Sequence, residues 1–292
     1  MVKVSKKTEK ITAFGGIYFV LDKFDSILSS VIDSHQGLRR KQVGYQYSEI
    51  IRAVFSVFYC GGGCMEDLNL YLKDVLTERP HTRVPSADTV LRGIEELATE
   101  NISYTAEKTG NAYDFNTAEK QNQLLIKLLL ATGQLTEGGE YDVDFDHQFL
   151  EAEKYDSKRT YKGFDGEYTY RCILTNDWDM TDEDIIRHYN KRGSAEQVFD
   201  RQNNDFGWAH LPKSFMNQNT VFLLFTAMAA NFYRYIVAMP LMAVLFGIKA
   251  TDRVKSVLFR FIAVPAKWVR TARQYKLNIY SDKPYDLIWE HG

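Results

Sequence analysis

The sequence predicts an α/β protein in which a mainly α-helical amino-terminal domain precedes a domain that contains β-strands. Hydrophobic residues recur at helical spacing up to about residue 131, and they alternate with polar residues from Glu140 to Leu150. A stretch with several glycines, Thr132 to Gly139, separates the two patterns. We therefore place the domains at residues 1–135 and 136–292.

Composition and length are those of a folded protein. The 292 residues are 45% hydrophobic and 25% charged, which supplies a large core and argues against disorder. Three cysteines form an odd, sparse set, which predicts reduced thiols in a cytoplasmic protein. The net charge of −2 gives no overall attraction to nucleic acid, so such binding would depend on local basic clusters. Two of these clusters are Arg39-Arg40-Lys41 and the stretch from Arg253 to Lys276.

The amino-terminal domain is predicted to consist of short helices joined by glycine and proline turns. We expect a first helix capped by Ser48 and a third capped by Ser86 after the Pro85 break. The first should stop at the glycines of positions 61–63. Two further helices are predicted over Met65 to Leu76 and Thr105 to Ala131. This pattern fits a helix-turn-helix DNA-binding module, and it fits any small helical bundle equally well.

The longest apolar run, Val221 to Ile248, is the only candidate for a membrane span. It contains Asn231, Arg234 and Pro240 near its middle, and each of them would be costly in hydrocarbon. We therefore predict two buried segments of a soluble core, and no membrane partner.

A row of carboxylates opens the second domain. In the alternating segment Glu140 to Leu150, the residues Asp142, Asp144 and Asp146 lie on one strand face. Like charges at this spacing repel one another unless water or a cation screens them. This face is therefore either solvated or holds a metal ion.

A later helix carries charge where a helix normally buries hydrocarbon. The residues Tyr189, Arg192 and Glu196 fall on one helical face. One interpretation is an intrahelical Arg192–Glu196 pair, and the other is a face that meets a metal ion or a phosphate. A second strand, Tyr168 to Thr175, and a capping box, Thr181 to Asp184, precede this helix. Strand aspartates and a helix glutamate together are the ligands that a two-metal phosphoryl-transfer site needs.

These residues carry a resemblance to a known family. Tyr189, Arg192 and Glu196 match the Y-x2-R-x3-E signature, and the chain resembles the bacterial DDE insertion-sequence transposases, in particular the insertion-sequence group numbered 1380. Further matching segments are Asp144 to Asp146, Pro85 to Thr89 and Asn203 to Trp208.

The resemblance implies an RNase H-like catalytic core that cuts and joins DNA with Mg²⁺, for which Mn²⁺ can substitute. It makes Asp146 the first catalytic carboxylate, with Asp144 as the alternative, and Glu196 the last. Asp146 and Glu196 would bind the metal, and Tyr189, Lys191 and Arg192 would contact DNA. The implied partners are the terminal inverted repeats and target DNA, with a homodimer left open.

The chain departs from the family in two places. Asn203 stands seven residues after Glu196, where the related signature often has lysine. The chain also passes directly from Gly163 to Phe164, where family members have a long segment that contains the second catalytic aspartate. The RNase H-like core is therefore predicted to be incomplete, with an internal deletion near residue 163.

The deletion leaves no well-placed substitute for the second aspartate. Asp177 ends a predicted strand, but this strand precedes the glutamate helix in intact members as well, and Asp156 and Asp165 lie in predicted loops. We expect a transposase that is catalytically defective. The alternative is a remnant that binds DNA ends without enzymatic activity.

Overall fold

The computed structural model describes residues 2–39, 44–105, 107, 110–141, 181 and 193–292, with the backbone alone at 113 and 193–197. The strand predicted over 140–150 lies outside the described residues from position 142 onward. The strand predicted over 168–175 and the capping box predicted over 181–184 also lie outside them, apart from residue 181.

The described residues form helices and two small antiparallel sheets. The helices are α1 (Ile17–Ile27), α2 (Ser29–Gln36), α3 (Tyr47–Tyr59), α4 (Lys73–Thr77), α5 (Ala87–Glu96), α6 (Glu119–Ala131), α7 (Gly193–Asp205), α8 (Met216–Ala238), α9 (Pro240–Phe246), α10 (Val254–Val257) and α11 (Tyr285–His291). Two π-helical turns cover Leu68–Leu72 and Leu258–Ile262. The strands pair as β1 (Ile102–Thr105) with β2 (Ala112–Phe115), and β3 (Ala266–Thr271) with β4 (Gln274–Ile279). This mixture fits an α/β protein, and the RNase H-like core stays a prediction.

One hydrophobic core joins helices from both sides of residue 135. Phe232 of α8 packs against Phe24 of α1 and Phe55 of α3, with ring centroids 5.9 and 6.0 Å apart. The hydroxyl of Tyr59 at the end of α3 donates to the Ala229 carbonyl at 2.6 Å. Buried aromatic pairs of this kind contribute both area and geometry to a core. The division into domains at residue 135 stays a prediction, but the described helices pack as one body.

The segment before α1 packs against the carboxyl-terminal elements. Thr12 forms an antiparallel bridge with Ala266 at the start of β3, through hydrogen bonds of 2.9 and 3.0 Å. The indole of Trp289 on α11 donates to Asp22 of α1 at 3.0 Å. These contacts close the fold around α1, whose residues Ile17 to Leu21 are all buried.

Helix α3 begins two residues earlier than the sequence predicts. Its cap is Gln46, whose backbone N–H donates to the Glu49 carboxylate at 2.8 Å. The predicted cap, Ser48, instead donates its N–H and hydroxyl to Asp33 of α2, at 2.9 and 2.7 Å. The Ser48 prediction is wrong because a partner distant in sequence takes its side chain. The predicted end is confirmed, since α3 stops at Tyr59 and Gly61 adopts a φ of +82°.

The helical segment predicted over Met65 to Leu76 is confirmed, with a π-helical turn inside it. The extra residue of this turn explains why the hydrophobic spacing is irregular, because it leaves Leu68, Leu72 and Leu76 buried and Leu70 exposed. The Ser86 cap of α5 is also confirmed, since its hydroxyl accepts from the Thr89 N–H at 3.3 Å.

The helix predicted from Thr105 is wrong over its first part. The paired strands β1 and β2 occupy Ile102–Thr105 and Ala112–Phe115, and α6 begins only at Glu119. Gly110, with a φ of +69°, lies in the connection between the two strands. The Asn116 side chain donates to the carbonyls of residues 99 and 100, at 3.0 and 3.1 Å, which fixes the base of the hairpin.

Helix α8 ends where the sequence predicts an interruption. It stops at Ala238, and Pro240 is the first residue of α9, a position that tolerates the missing N–H. By length and composition α8 is the one described helix that could cross a membrane, although 56% of its most apolar window is buried inside the protein. This helix packs against α3, α5 and α6.

Strands β3 and β4 are joined by a tight turn that the sequence analysis did not predict. The two turn residues, Ala272 and Arg273, both have positive φ, +51° and +66°. Two-residue hairpin turns often need positive φ at both positions and favour Asn-Gly there. The left-handed backbone conformation costs a residue with a Cβ about 1–2 kcal/mol, so the turn is strained. The burial pattern shows the strands emerging from the body, since both are exposed beside the turn and partly covered at their far ends.

Candidate functional site

The predicted site residues fall into two groups. One group lies outside the described residues and comprises Asp144, Asp146, Tyr189, Lys191 and Arg192, as well as the discounted substitutes Asp156, Asp165 and Asp177. Glu196 alone forms the second group. It lies on α7, whose backbone is described from Gly193. The roles of all these residues stay predictions, and the structure shows how the glutamate helix is held.

A single arginine anchors α7. The Nε and Nη2 atoms of Arg253 donate to the two carboxylate oxygens of Asp205, at 3.0 and 3.1 Å. Its Nη1 atom donates to Asp200 at 2.8 Å. The side chain of Asp205 is only 12% exposed, so its carboxylate is shielded from solvent, whereas Arg253 is 42% exposed. The pKa of Arg253 is raised, first by the hydrogen bond to Asp205. One guanidinium therefore fixes the carboxyl-terminal half of α7.

The loop that carries Arg253 is itself fixed to α8. The Tyr233 hydroxyl donates to the Asp252 carbonyl at 2.7 Å, and burial raises the pKa of Tyr233 so that the phenol stays neutral. From α7, the Arg201 guanidinium donates to the Thr251 carbonyl at 3.3 Å. These bonds fix the backbone of Thr251 and Asp252, directly before Arg253. The arginine that pairs with α7 is therefore held in place by its own loop.

A turn after α7 provides a second anchor. Gly207 adopts a φ of +74°, and a Cβ there would lie 2.9 Å from the Phe58 ring of α3. The neighbouring Phe206 is 2% exposed and packs against Phe58, with centroids 6.0 Å apart. The Trp208 indole donates to Thr226 of α8 at 2.7 Å. The matching segment Asn203 to Trp208 thus ends the glutamate helix and docks it on α3 and α8.

Position 196 lies one helical turn before Asp200. Four residues of an α-helix rise about 6 Å, so the two positions share a face. The Arg253–Asp200 ion pair therefore sits one turn from the predicted catalytic glutamate. Placement of a metal ligand depends on such support by neighbouring structure, and the described half of α7 has it.

The basic clusters of the sequence differ in structure. Arg39 donates twice to Glu96 of α5, at 2.6 Å each, and is thereby neutralised. This hydrogen bond raises the pKa of Arg39. Arg40 and Lys41 lie outside the described residues. In the carboxyl-terminal stretch, Arg253 and Arg260 form ion pairs with aspartates. Lys255 lies on α10, and the other cations of this stretch lie on the β3–β4 hairpin.

A metal site is not formed by the described residues alone. Within them, no group of three or more His, Cys, Asp or Glu side chains is placed to hold a metal ion. The predicted ligands Asp146 and Glu196 contribute side chains outside this part of the chain. Their carboxylate oxygens are the donors that Mg²⁺ prefers, so the predicted ligand set fits this ion chemically.

A comparison with protein families bears on the identity of this helix. A family model described as transposase DDE domain group 1 matches residues 157–291. The match supports a DDE transposase. It covers α7 to α11 and includes Glu196, and it begins after Asp146. No curated protein and no solved structure matches the chain. Membership of the insertion-sequence group numbered 1380 stays a prediction.

Sequence reasoning missed the residues that hold the glutamate helix. Arg253 pairs with carboxylates 48 and 53 residues away, and no local sequence pattern predicts such a contact. The signal that was available is Phe206-Gly207-Trp208, because a glycine between two aromatics directly after a helix predicts a tight, buried end.

Proposed function

We propose that this chain is a DDE transposase that binds DNA at insertion-sequence ends but does not complete strand cleavage and transfer. The observation that carries this proposal is the direct passage from Gly163 to Phe164, which omits the segment of the second catalytic aspartate. The contacts that anchor α7 support the view that this chain keeps the helix of the predicted catalytic Glu196. Catalysis and binding are therefore separable in this chain.

We assign the remaining site residues by the resemblance. Asp146 is the first carboxylate, with Asp144 as the alternative, and Glu196 is the last. Tyr189, Lys191 and Arg192 contact phosphates before Glu196. When bound, paired Mg²⁺ ions activate the attacking oxygen and stabilise the leaving one, which needs several converging carboxylates. With Asp146 and Glu196 alone, the ligand set of the second ion is incomplete.

The partners follow from the same proposal. A transposase acts on DNA, and we infer that the substrates are the terminal inverted repeats and target DNA, in the cytoplasm and with or without a homodimer. The described helices on both sides of the shortened region pack in one core. This packing supports a DNA-binding body that folds without the missing segment.

Cleavage is the first test. Purified protein is incubated with a supercoiled plasmid that carries the flanking inverted repeats, in Mg²⁺ or Mn²⁺, and nicked and linear products are measured. We expect none above the level of the Glu196→Ala variant. If the unaltered chain nicks the plasmid and the Glu196→Ala variant does not, the proposed catalytic defect is wrong. Asp156→Asn and Asp177→Asn variants would then identify the substitute ligand.

Binding is the second test. We expect the chain to bind a fluorescent duplex carrying the repeat, with an affinity that falls steeply as salt rises, by about 0.9 log units per phosphate contact per log unit of salt. Circular dichroism on the same sample checks that the protein is folded. A folded sample that shows no affinity at low salt would contradict the proposed function.

A further inference from the structure

The cations of this protein separate into two classes by their partners. Most arginines with described surroundings pair with carboxylates from other elements. These paired cations are Lys10, Arg39, Arg52, Arg79, Arg83, Lys213, Arg253, Arg260 and Lys267. Carboxylates of the same protein neutralise their charge, so these cations attract an external anion only weakly.

The outer part of the β3–β4 hairpin belongs to the other class. Arg270, Arg273 and Lys276 are exposed, and no carboxylate in the described part of the chain forms an ion pair with any of them. At the base of the hairpin, Lys267 is paired with Glu9 at 3.0 Å. Three unpaired cations are therefore grouped at the end of the hairpin that projects from the body.

The strand register distributes these charges over the hairpin. Arg270 is paired across the sheet with Tyr275, and Val269 with Lys276. Because side chains alternate along a strand, Arg270 and Lys276 lie on opposite faces, and Arg273 lies at the tip. A groove that received this hairpin would meet a cation on each wall and one at its floor.

The base of the hairpin is rigid although its tip is exposed. Trp268 packs edge-on against Tyr18 of α1, with centroids 5.4 Å apart. The Arg270 guanidinium lies 5.4 Å from the Tyr275 ring, whose other neighbour is the His81 ring at 5.6 Å. Pre-ordered cations lose less entropy on binding than free side chains do. The strained Ala272–Arg273 turn keeps Arg273 at the tip.

We propose that the β3–β4 hairpin enters the major groove of duplex DNA and contacts phosphates on both strands through Arg270, Arg273 and Lys276. The major groove admits a two-stranded β-ribbon, and its walls are phosphate backbones. Three unpaired cations on two faces and a tip complement that shape and charge. This inference rests on the proposed function and assigns its DNA-binding surface.

The test removes the three charges together. Arg270→Gln, Arg273→Gln and Lys276→Gln are combined in the full chain, and binding to a fluorescent mixed-sequence duplex is titrated across a salt series. We expect the affinity at low salt to fall about tenfold or more, and the slope of log affinity against log salt to become shallower by about 2–3, since each phosphate contact contributes about 0.9.

A matched variant controls for net charge. Lys6→Gln, Lys73→Gln and Lys249→Gln remove three exposed cations that form no ion pair with the described carboxylates and lie outside both the hairpin and the basic clusters of the sequence. We expect this variant to keep the parental affinity within about twofold and a slope within about 0.5 of the parental value, because only phosphate contacts release counterions in proportion. Thermal unfolding of both variants confirms that they are folded.

The outcomes separate the two proposals. If the parent binds and the hairpin variant binds equally well, the hairpin assignment is wrong while DNA binding stands. An equal loss in both triple variants would likewise overturn it, because net charge alone would then explain binding. If the folded parent binds no duplex, the proposed function fails together with this inference. Loss of affinity for anionic phospholipid vesicles, with duplex binding intact, would assign the hairpin to a membrane surface and overturn the DNA assignment.

Discussion

Two arginine-rich regions of this protein differ in whether their arginines pair with carboxylates. At the junction of α1 and α3, Arg79 donates to Asp22 at 2.6 and 3.0 Å and to Asp25 at 2.7 Å. Arg52 of α3 shares Asp25 at 2.7 Å. On the β3–β4 hairpin, by contrast, the arginines have no carboxylate partner among the described residues. A count of basic residues in the sequence therefore says little about where the protein attracts an anion.

Burial explains why the first region is structural. The side chains of Arg79 and Arg52 are 13% and 12% exposed, so their charges need partners inside the fold. Asp22 also accepts from the Trp289 indole of α11. The cluster thereby ties together α1, α3, the loop after α4, and α11. In the second region the cations reach water, so their charges need no partner, and the described carboxylates form no ion pair with them.

The largest expected effect in this comparison comes from Arg79→Met. This change leaves Asp22 and Asp25 partly buried with fewer partners. We expect the free energy of unfolding to fall by about 2–3 kcal/mol, less than the 3–5 kcal/mol of a fully buried pair, because Asp22 is 40% exposed. Urea unfolding measures the loss. Duplex affinity of the folded fraction should stay unchanged, and a matching drop in affinity would place the cluster in the DNA surface after all.

A smaller effect is expected from Tyr18→Phe, at the point where the two regions meet. Tyr18 packs on Trp268 of the hairpin, and its hydroxyl donates to the Val75 carbonyl at 2.8 Å. Loss of this hydrogen bond should cost about 1 kcal/mol at neutral pH.

The same variant has a pH signature. Burial raises the pKa of Tyr18 to about 12 in the folded state, against about 10 when unfolded. Its contribution is therefore fully present below pH 10 and is lost as the pH rises to about 12, because only the unfolded state ionises in that range. Urea unfolding between pH 9 and 12 should show a shallower decline for Tyr18→Phe than for the parent. Parallel curves would refute the raised pKa.

The smallest expected effect comes from Ala272→Asn in the hairpin turn. Asparagine tolerates positive φ better than alanine does, so we expect the free energy of unfolding to rise by about 0.5–1 kcal/mol. All three hairpin cations remain, and duplex affinity should stay within about twofold. Thermal unfolding and the same titration measure both. A variant that gains stability but loses DNA binding would show that the strained turn itself, and not the charges alone, is recognised.

Much of the local structure was predictable because local chemistry determines it. The Ser86 cap, the end of α3 before Gly61 and the break at Pro240 all follow from backbone preferences of single residues. The helix predicted from Thr105 failed because a β-hairpin formed there instead, with Asn116 fixing its base. For the candidate site, the sequence supplied the position of Glu196 on a helix and, by resemblance, its predicted role.

The sequence by itself determined the helical segments, their main interruptions and a resemblance to DDE transposases, which agrees with the family model that matches residues 157–291. Only the tertiary structure decided which charges remain available. Arg253 holds the glutamate helix through Asp205, 48 residues away, and Arg79 is neutralised by Asp22 at a separation of 57 residues. Among the described residues, no carboxylate forms an ion pair with Arg270, Arg273 or Lys276 of the hairpin. Side-chain pairing at such separations depends on how helices pack, and packing is a property of the whole chain that no local pattern encodes.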